Sequence, residues 1–265
     1  MQRLLVTGGC GYLGRELVRR APDRGWEVRA TWFERPPPDR GAWIQADLRD
    51  PEAARRAVAG VDAVIHTAYR QGAEEWEVNV GGTASVAEAA KDLRFVHLSS
   101  DLVFDGTRGR YREDDAPAPV NSYGRSKAGA ERVALEIHGR PSIVRTSLIY
   151  GGSEPGPQER LARDGTRFFV DEIRSPVQVG DLADALLEVA GLEIAGALHL
   201  GGADDVSRLD FALLLGADPK RIEPAHTTPE RAPNVSLDSS RAAVLLETRL
   251  RGVYEVLDSS SADRV

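Results

Sequence analysis

Short, nearly continuous apolar runs at residues 3–7, 63–68, 95–99 and 197–200, with a further strand-like segment at 27–33, alternate with segments whose apolar positions recur at helical spacing. Runs that are apolar throughout, rather than at every second position, suit strands buried on both faces of a parallel sheet. The helical pattern covers 15–21, 77–90, 182–190, 209–215 and 241–246. Asp50 followed by Pro51 reads as an N-cap and first residue of another helix. Asp181 reads as the cap of the segment from 182. Strands alternating with helices predict an α/β fold: a Rossmann-type doubly wound parallel sheet.

A cluster of breakers at 151–157, G-G-S-E-P-G-P, marks where the chain leaves that sheet. The expected division is a Rossmann-type domain over 1–150, joined by about 176–202, and a smaller C-terminal α/β domain from 151–175 and 203–265. The Ser-rich end after Asp258 is expected to fray. There is no internal repeat.

The first strand runs directly into T-G-G-C-G-Y-L-G at 7–14, and a helix follows. Strand, glycine turn and helix are the context in which a dinucleotide fingerprint has physical meaning. Gly8 allows the tight turn, Gly11 lets the backbone approach a pyrophosphate, and Gly14 permits close helix packing; Tyr12 and Leu13 open the helix beside the phosphates. At the end of the second strand an acid favours the ribose hydroxyls of NAD, whereas an arginine favours the extra phosphate of NADP. Trp32 stands where the acid is expected, with Phe33, Glu34 and Arg35 after it. The reading leans to NADP through Arg35, with Trp32 or Phe33 beside the adenine, and keeps NAD open. Asp47 and Leu48 end the next strand near the adenine. Thr67 and Ala68 are small residues where a backbone passes close to the cofactor. Asn79 suits a backbone kink, a water or a plain core hydrogen bond.

Composition narrows the field. The chain has 265 residues, 42% hydrophobic, with net charge −7, and carries no basic footprint for nucleic acid or anionic membrane. Cys10 is the sole cysteine, so no internal disulfide and no Cys-based metal site can form. The histidines His66, His97, His138, His199 and His226 lack ligand spacing, so no metal is expected and their ring nitrogens are read as satisfied in strands or at the surface. No apolar run is long enough to span a bilayer and no leader is evident, which makes the cytoplasm the expected compartment.

Tyr123 and Lys127 stand four residues apart, on one face if that segment is a helix. An ammonium beside a phenol lowers its pKa and makes a proton donor for reduction of a carbonyl. Ser100 ends a strand at the sheet edge where open α/β folds bind ligands. A Ser-based hydrolase would need a nucleophile elbow, and none surrounds Ser99 or Ser100.

The glycine run, S-S-D-L-V-F-D-G at 99–106, the segment from Tyr111 to Lys127 and I-V-R-T-S-L-I-Y-G at 143–151 resemble the extended short-chain dehydrogenase/reductases. R-S-P-V-Q-V-G-D-L-A-D-A-L at 174–186 and R-A-P-N-V-S-L-D-S-S at 231–240 resemble its dTDP-4-dehydrorhamnose reductase branch. The resemblance implies an NAD(P)H-dependent reductase of a nucleotide-sugar keto group. Ser100, Tyr123 and Lys127 would be its catalytic triad, and Lys127 would also hold the nicotinamide ribose. Ser100 and Asp101 would face the substrate. Arg174 could meet a substrate anion or form an ion pair with Asp171 or Glu172. A homodimer is a further expectation from the superfamily. Two departures stand out: Leu148 where the branch commonly has tryptophan, and an altered loop at 69–76. An epimerase or dehydratase on the same fold, or a non-catalytic NADP-binding regulatory subunit, are the competing readings.

Overall fold

In chain order the strands are β1 (Gln2–Thr7), β2 (Trp26–Trp32), β3 (Trp43–Gln45), β4 (Ala63–His66), β5 (Arg94–Ser100), β6 (Ser142–Thr146), β7 (Ile149–Tyr150), β8 (Arg167–Phe169), β9 (Ile173–Arg174), β10 (Val177–Gln178), β11 (Gly196–Leu200), β12 (Val206–Ser207) and β13 (Glu223–Ala225). The helices are α1 (Tyr12–Arg20), α2 (Pro51–Val58), α3 (Gly82–Ala89), α4 (Ser122–His138), α5 (Pro157–Asp164), α6 (Val179–Gly191), α7 (Arg208–Leu214), α8 (Ser240–Leu245) and α9 (Val253–Ala262). These come from a computed structural model that describes residues 1–37 and 41–262.

One seven-stranded sheet has the order β11-β6-β5-β4-β1-β2-β3. β1 pairs in parallel with β2 on one side and β4 on the other; β2 with β3 and β4 with β5 are parallel too. The chain builds outward from β1 through β2 and β3, then reverses through β4 and β5. That reversal between β1 and β4 is the topological switch point, and ligands bind there outside the carboxyl ends of the strands. The apolar runs behave as their composition demands: Leu4, Leu5 and Val6 of β1 and Ala63, Val64 and Ile65 of β4 are fully buried.

The chain divides into two compact units. The first comprises Met1–Ser99, Arg125–Val144 and Leu186–Ala197. Its core sets Leu5, Val64, Phe95 and Ile143 of the sheet against Ala53, Ala54 and Ala57 of α2 and Val86 and Ala87 of α3. Alanines on α2 let it lie close to the sheet. Its start is capped as the sequence requires: the Asp50 carboxylate accepts from the Glu52 amide at 3.0 Å, with Pro51 in the first turn. The helix expected over 77–90 opens instead as a π turn, Glu77–Gly81, before α3 begins. Asn79 supplies the reason. Its side chain is 1% exposed and bonds the Arg70 backbone twice and the Ser126 hydroxyl, so the turn widens around it.

The second unit comprises Ser100–Gly124, Arg145–Ala185 and Leu198–Val265. Short strand pairs β7 with β10, β9 with β12 and β8 with β13 frame it. Tyr150, Val206, Phe211 and Val253 form one of its cores, and Leu148 packs against that cluster. Two local expectations change here. Asp181 lies inside the first turn of α6, where its carboxylate binds the Arg251 guanidinium at 2.8 Å instead of capping. The Ser-rich end continues as α9 to Ala262, anchored by the fully buried Val253. No described helix is long and apolar enough to cross a membrane.

Candidate functional site

The fingerprint glycines are used as steric necessities. Gly8 has φ +67°, and a Cβ there would stand 2.9 Å from the Ala68 Cα. A Cβ on Gly14 would stand 2.2 Å from the Gly8 carbonyl oxygen. The turn can therefore close against both the end of β4 and the start of α1 only if these positions have no side chain. Gly11 is the N-cap of α1, and no side chain caps that helix end. Leu13 is buried, whereas Gly8 and Gly11 line a groove of about 500 Å³.

The groove is also lined by Trp32, Phe33, Glu34, Arg35, Asp47, Leu48, Thr67 and Ala68. The sequence reading thus places Gly8, Gly11, Trp32, Arg35, Asp47, Leu48, Thr67 and Ala68 on one surface, all within the first unit. Tyr12, Leu13, Gly14, Tyr123 and Lys127 do not line it. Thr67 is held by its hydroxyl donating to the Thr7 carbonyl at 2.7 Å. His66 ends β4 with its ring between the Thr7 and Thr83 hydroxyls, at 2.7 and 3.1 Å; burial drives its pKa down to about 3, so it is neutral.

Two arginines of this groove were not singled out from the sequence. Arg49 holds both Asp47 oxygens, from Nη2 at 2.7 Å and Nε at 3.0 Å, and reaches Glu74 at 3.0 Å. Arg70 binds the Glu34 carboxylate and approaches Glu74 at 3.4 Å. The hydrogen bonds from Arg49 hold the Asp47 carboxyl below its usual range. Asp47, expected near the adenine, is thus already engaged. The partners come from the loops after β2, β3 and β4, and no spacing in the sequence announces such a chain of charges.

On α4, Tyr123 is half-buried in the first turn and Lys127 is buried one turn later. The Lys127 ammonium donates to the Leu98 carbonyl at 2.5 Å, its one hydrogen bond among the described residues. Burial pushes its pKa down to about 8, with Glu131 pulling the other way. Glu131 itself accepts from the Ser99 hydroxyl at 2.5 Å. Nearby, Gly124 lets α4 close on the loop after β5: a Cβ there would stand 2.1 Å from the Leu102 carbonyl oxygen. The helix that carries Tyr123 and Lys127 is therefore fixed to the chain two residues before and two residues after Ser100.

Ser100 is 8% exposed. Its hydroxyl donates to Asp101 Oδ1 at 3.0 Å and accepts from the Leu102 amide at 3.2 Å. Asp101 Oδ2 accepts from Ser147 at 2.6 Å. Burial raises the Asp101 pKa, opposed by Arg174. Arg174 is 3% exposed and pairs with Glu172 at 3.0 Å, while Asp101 lies 3.9 Å away. Its remaining donors go to the carbonyls of Ile173, Ala232 and Pro233. Arg174 makes the ion pair expected of it with Glu172, whereas Asp171 accepts from the Thr227 amide at 2.9 Å. Not every histidine is satisfied as expected: both ring nitrogens of the buried His97 lack a hydrogen-bond partner among the described residues, and burial lowers its pKa. Among the described residues no three His, Cys, Asp or Glu side chains gather as metal ligands.

Comparisons with known proteins extend over most of the chain. A dTDP-4-dehydrorhamnose reductase of Mycolicibacterium smegmatis is 34% identical over 98% of this chain and 85% of its own length. Methionine adenosyltransferase 2 subunit beta of Bos taurus is 26% identical over 92% of this chain and 82% of its own. Among solved structures, a hypothetical dTDP-4-dehydrorhamnose reductase from Sulfolobus tokodaii superposes with a TM-score of 0.82 at 28% identity, covering 94% of this chain and 97% of that one. The family described as the RmlD substrate binding domain matches residues 1–256, and the chain belongs to that family, within the extended short-chain dehydrogenase/reductases.

Proposed function

We propose that this chain is an NAD(P)H-dependent reductase that converts a keto group of a nucleotide sugar to an alcohol. The substrate class follows the name of the Mycolicibacterium smegmatis relative, a dTDP-4-dehydrorhamnose reductase. The observation that carries the reading is the double attachment of α4 around Ser100, through Lys127 to Leu98 and through Gly124 against Leu102. Proton transfer to a carbonyl oxygen calls for a phenol, an ammonium and a hydroxyl carried on regular secondary structure, and α4 and the end of β5 carry these three.

The groove beside Gly8 and Gly11 fits a dinucleotide: its backbone approaches closely, and the end of α1 is open to phosphates. When bound, the nicotinamide supplies hydride to the carbonyl carbon. The chain's own groups do the rest. Tyr123 gives its hydroxyl proton to the substrate oxygen. Lys127, with two N–H donors beyond the one engaged by Leu98, stabilises the phenolate left behind and takes a ribose hydroxyl. Ser100 orients the carbonyl. To donate to substrate its hydroxyl must turn from Asp101 Oδ1, and a proton on the buried Asp101 would make that turn favourable by reversing the bond. The same reading has the enzyme cytoplasmic and homodimeric, with the substrate held by the second unit.

The test is nicotinamide oxidation with a panel of dTDP- and UDP-linked keto sugars. Turnover by the unaltered chain and its loss of at least about a hundredfold in Tyr123→Phe is the expected result. Unchanged turnover in Tyr123→Phe would remove Tyr123 from its role. The likeness to the methionine adenosyltransferase subunit favours one other reading, a dinucleotide-binding regulatory subunit. Binding of dinucleotide without oxidation by any keto sugar would support it.

A further inference from the structure

The rim of the groove carries an alternating chain of charges, Glu34, Arg70, Glu74, Arg49 and Asp47, each bonded to the next. Glu34 lies two residues beyond the end of β2 and lines the groove, the nearest carboxylate after Trp32 that could accept the hydroxyls of an adenosine ribose and so favour NAD. Here that carboxylate is bound by the Arg70 guanidinium. Arg35, next in sequence, lines the same groove and forms no ion pair among the described residues. The lining side chains include three arginines, 35, 49 and 70, against two carboxylates, Glu34 and Asp47.

Arg70 is placed for this by more than its charge. Its amide donates to Asn79 Oδ1 at 2.8 Å, and its carbonyl accepts from Asn79 Nδ2 at 2.9 Å. A buried asparagine at the π turn thus clamps the backbone of an arginine whose side chain is 31% exposed. A lone exposed pair would be weak and short-lived. The backbone clamp and the second carboxylate, Glu74, reduce the conformational loss on forming it.

We infer that Arg70 sets dinucleotide preference by withholding Glu34 from the ribose hydroxyls, leaving Arg35 to meet a 2′-phosphate, so that the chain prefers NADP to NAD. Arg70 is a positioning residue in this account, acting through Glu34. The inference rests on the proposed cofactor role of the groove.

Equilibrium binding of NADP and NAD, followed by quenching of tryptophan fluorescence, tests it without any substrate. The unaltered chain should bind NADP more tightly. In Arg70→Gln the released Glu34 should tighten NAD binding about tenfold, the scale of one charge-assisted hydrogen bond. Glu34→Gln alone should leave NAD binding within about twofold, because that carboxylate is already engaged. The double variant should lose the gain, which is the coupling a mutant cycle reads. NAD binding that stays the same or weakens in Arg70→Gln would overturn the inference, as would a gain that persists in the double variant. Loss of NADP affinity with no gain for NAD would mean that Arg70 touches the phosphate itself, which also overturns it. An unaltered chain that binds neither dinucleotide would sink the cofactor reading of the groove, and the inference with it.

Discussion

Replacing Lys127 by methionine should separate stability from activity. The side chain is 4% exposed, and burial takes its pKa from the ordinary 10.5 to about 8. A difference of that size corresponds to about 3 kcal/mol spent on keeping the group ionised in the folded chain. Below pH 8 both folded and unfolded states hold the proton, so the full cost is present. Between pH 8 and 10.5 the unfolded chain keeps a proton that the folded chain has released, so stability rises with pH. Above 10.5 the cost is gone. Methionine carries no charge to desolvate, but it leaves the Leu98 carbonyl without its donor, a loss of about 1–3 kcal/mol. At pH 7 the two effects nearly offset, and Lys127→Met should be as stable as the parent or slightly more so.

The sharper signature is the pH dependence. Urea unfolding of both chains at pH 7 and pH 10 should show the parent gaining about 2–3 kcal/mol on the variant as pH rises. Reductase activity in the variant should fall by orders of magnitude, and in the parent kcat/KM for the dinucleotide, which reports the chain before it binds, should decline above about pH 8 as the ammonium is lost. Parallel stability curves from pH 7 to 10 would refute a desolvated Lys127 ammonium.

Two further substitutions follow from the same geometry. Gly14→Ala puts a Cβ 2.2 Å from the Gly8 carbonyl oxygen, so the turn must open; dinucleotide affinity should drop at least about tenfold with about 1–3 kcal/mol of stability, read by fluorescence titration and thermal melting. Arg174→Met removes one of three arginines around the buried Glu172, which keeps Arg231 at 2.6 Å and Arg208 at 3.9 Å, and takes the cation nearest Asp101; it should cost about 1–3 kcal/mol in chemical denaturation. Arg174→Lys should recover little of that loss, because an ammonium cannot reach three carbonyls and a carboxylate at once.

What could be read from the sequence is what short-range physics dictates. The glycines at 8 and 14 answer to backbone approach within a single turn, and their neighbours in sequence are their neighbours in space. Asp50 and Pro51 cap α2 because the required donor is two residues away. The π turn at Glu77–Gly81 was not legible, since its cause is a pair of bonds from Asn79 back to Arg70 in the preceding loop. The groove's charge chain was invisible for the same reason: Arg70 reaches Glu34 across 36 positions and Arg49 reaches Glu74 across 25. Leu148, a departure from its branch when read as a sequence, packs against the cluster of Tyr150, Val206, Phe211 and Val253, where an apolar residue supports the second unit's core.

Lys127 and Arg174 are both buried cations, and burial alone does not tell a working group from a supporting one. Their donors do. Arg174 spends its guanidinium on three backbone carbonyls and Glu172, with Asp101 at 3.9 Å. A ligand anion could claim it only by breaking bonds that hold residues 172–174 to 232–233, and any new contact would be offset by the buried groups left behind. Among the described residues Lys127 has one hydrogen bond from three N–H groups, and its pKa is lowered, which is the state of a cation whose surroundings have not fully replaced water. A ribose hydroxyl or a developing phenolate would complete that set, and it would raise the Lys127 pKa. Dinucleotide binding should therefore shift the alkaline limb of the pH profile upward, whereas the arginine cluster around Glu172 should be indifferent to it.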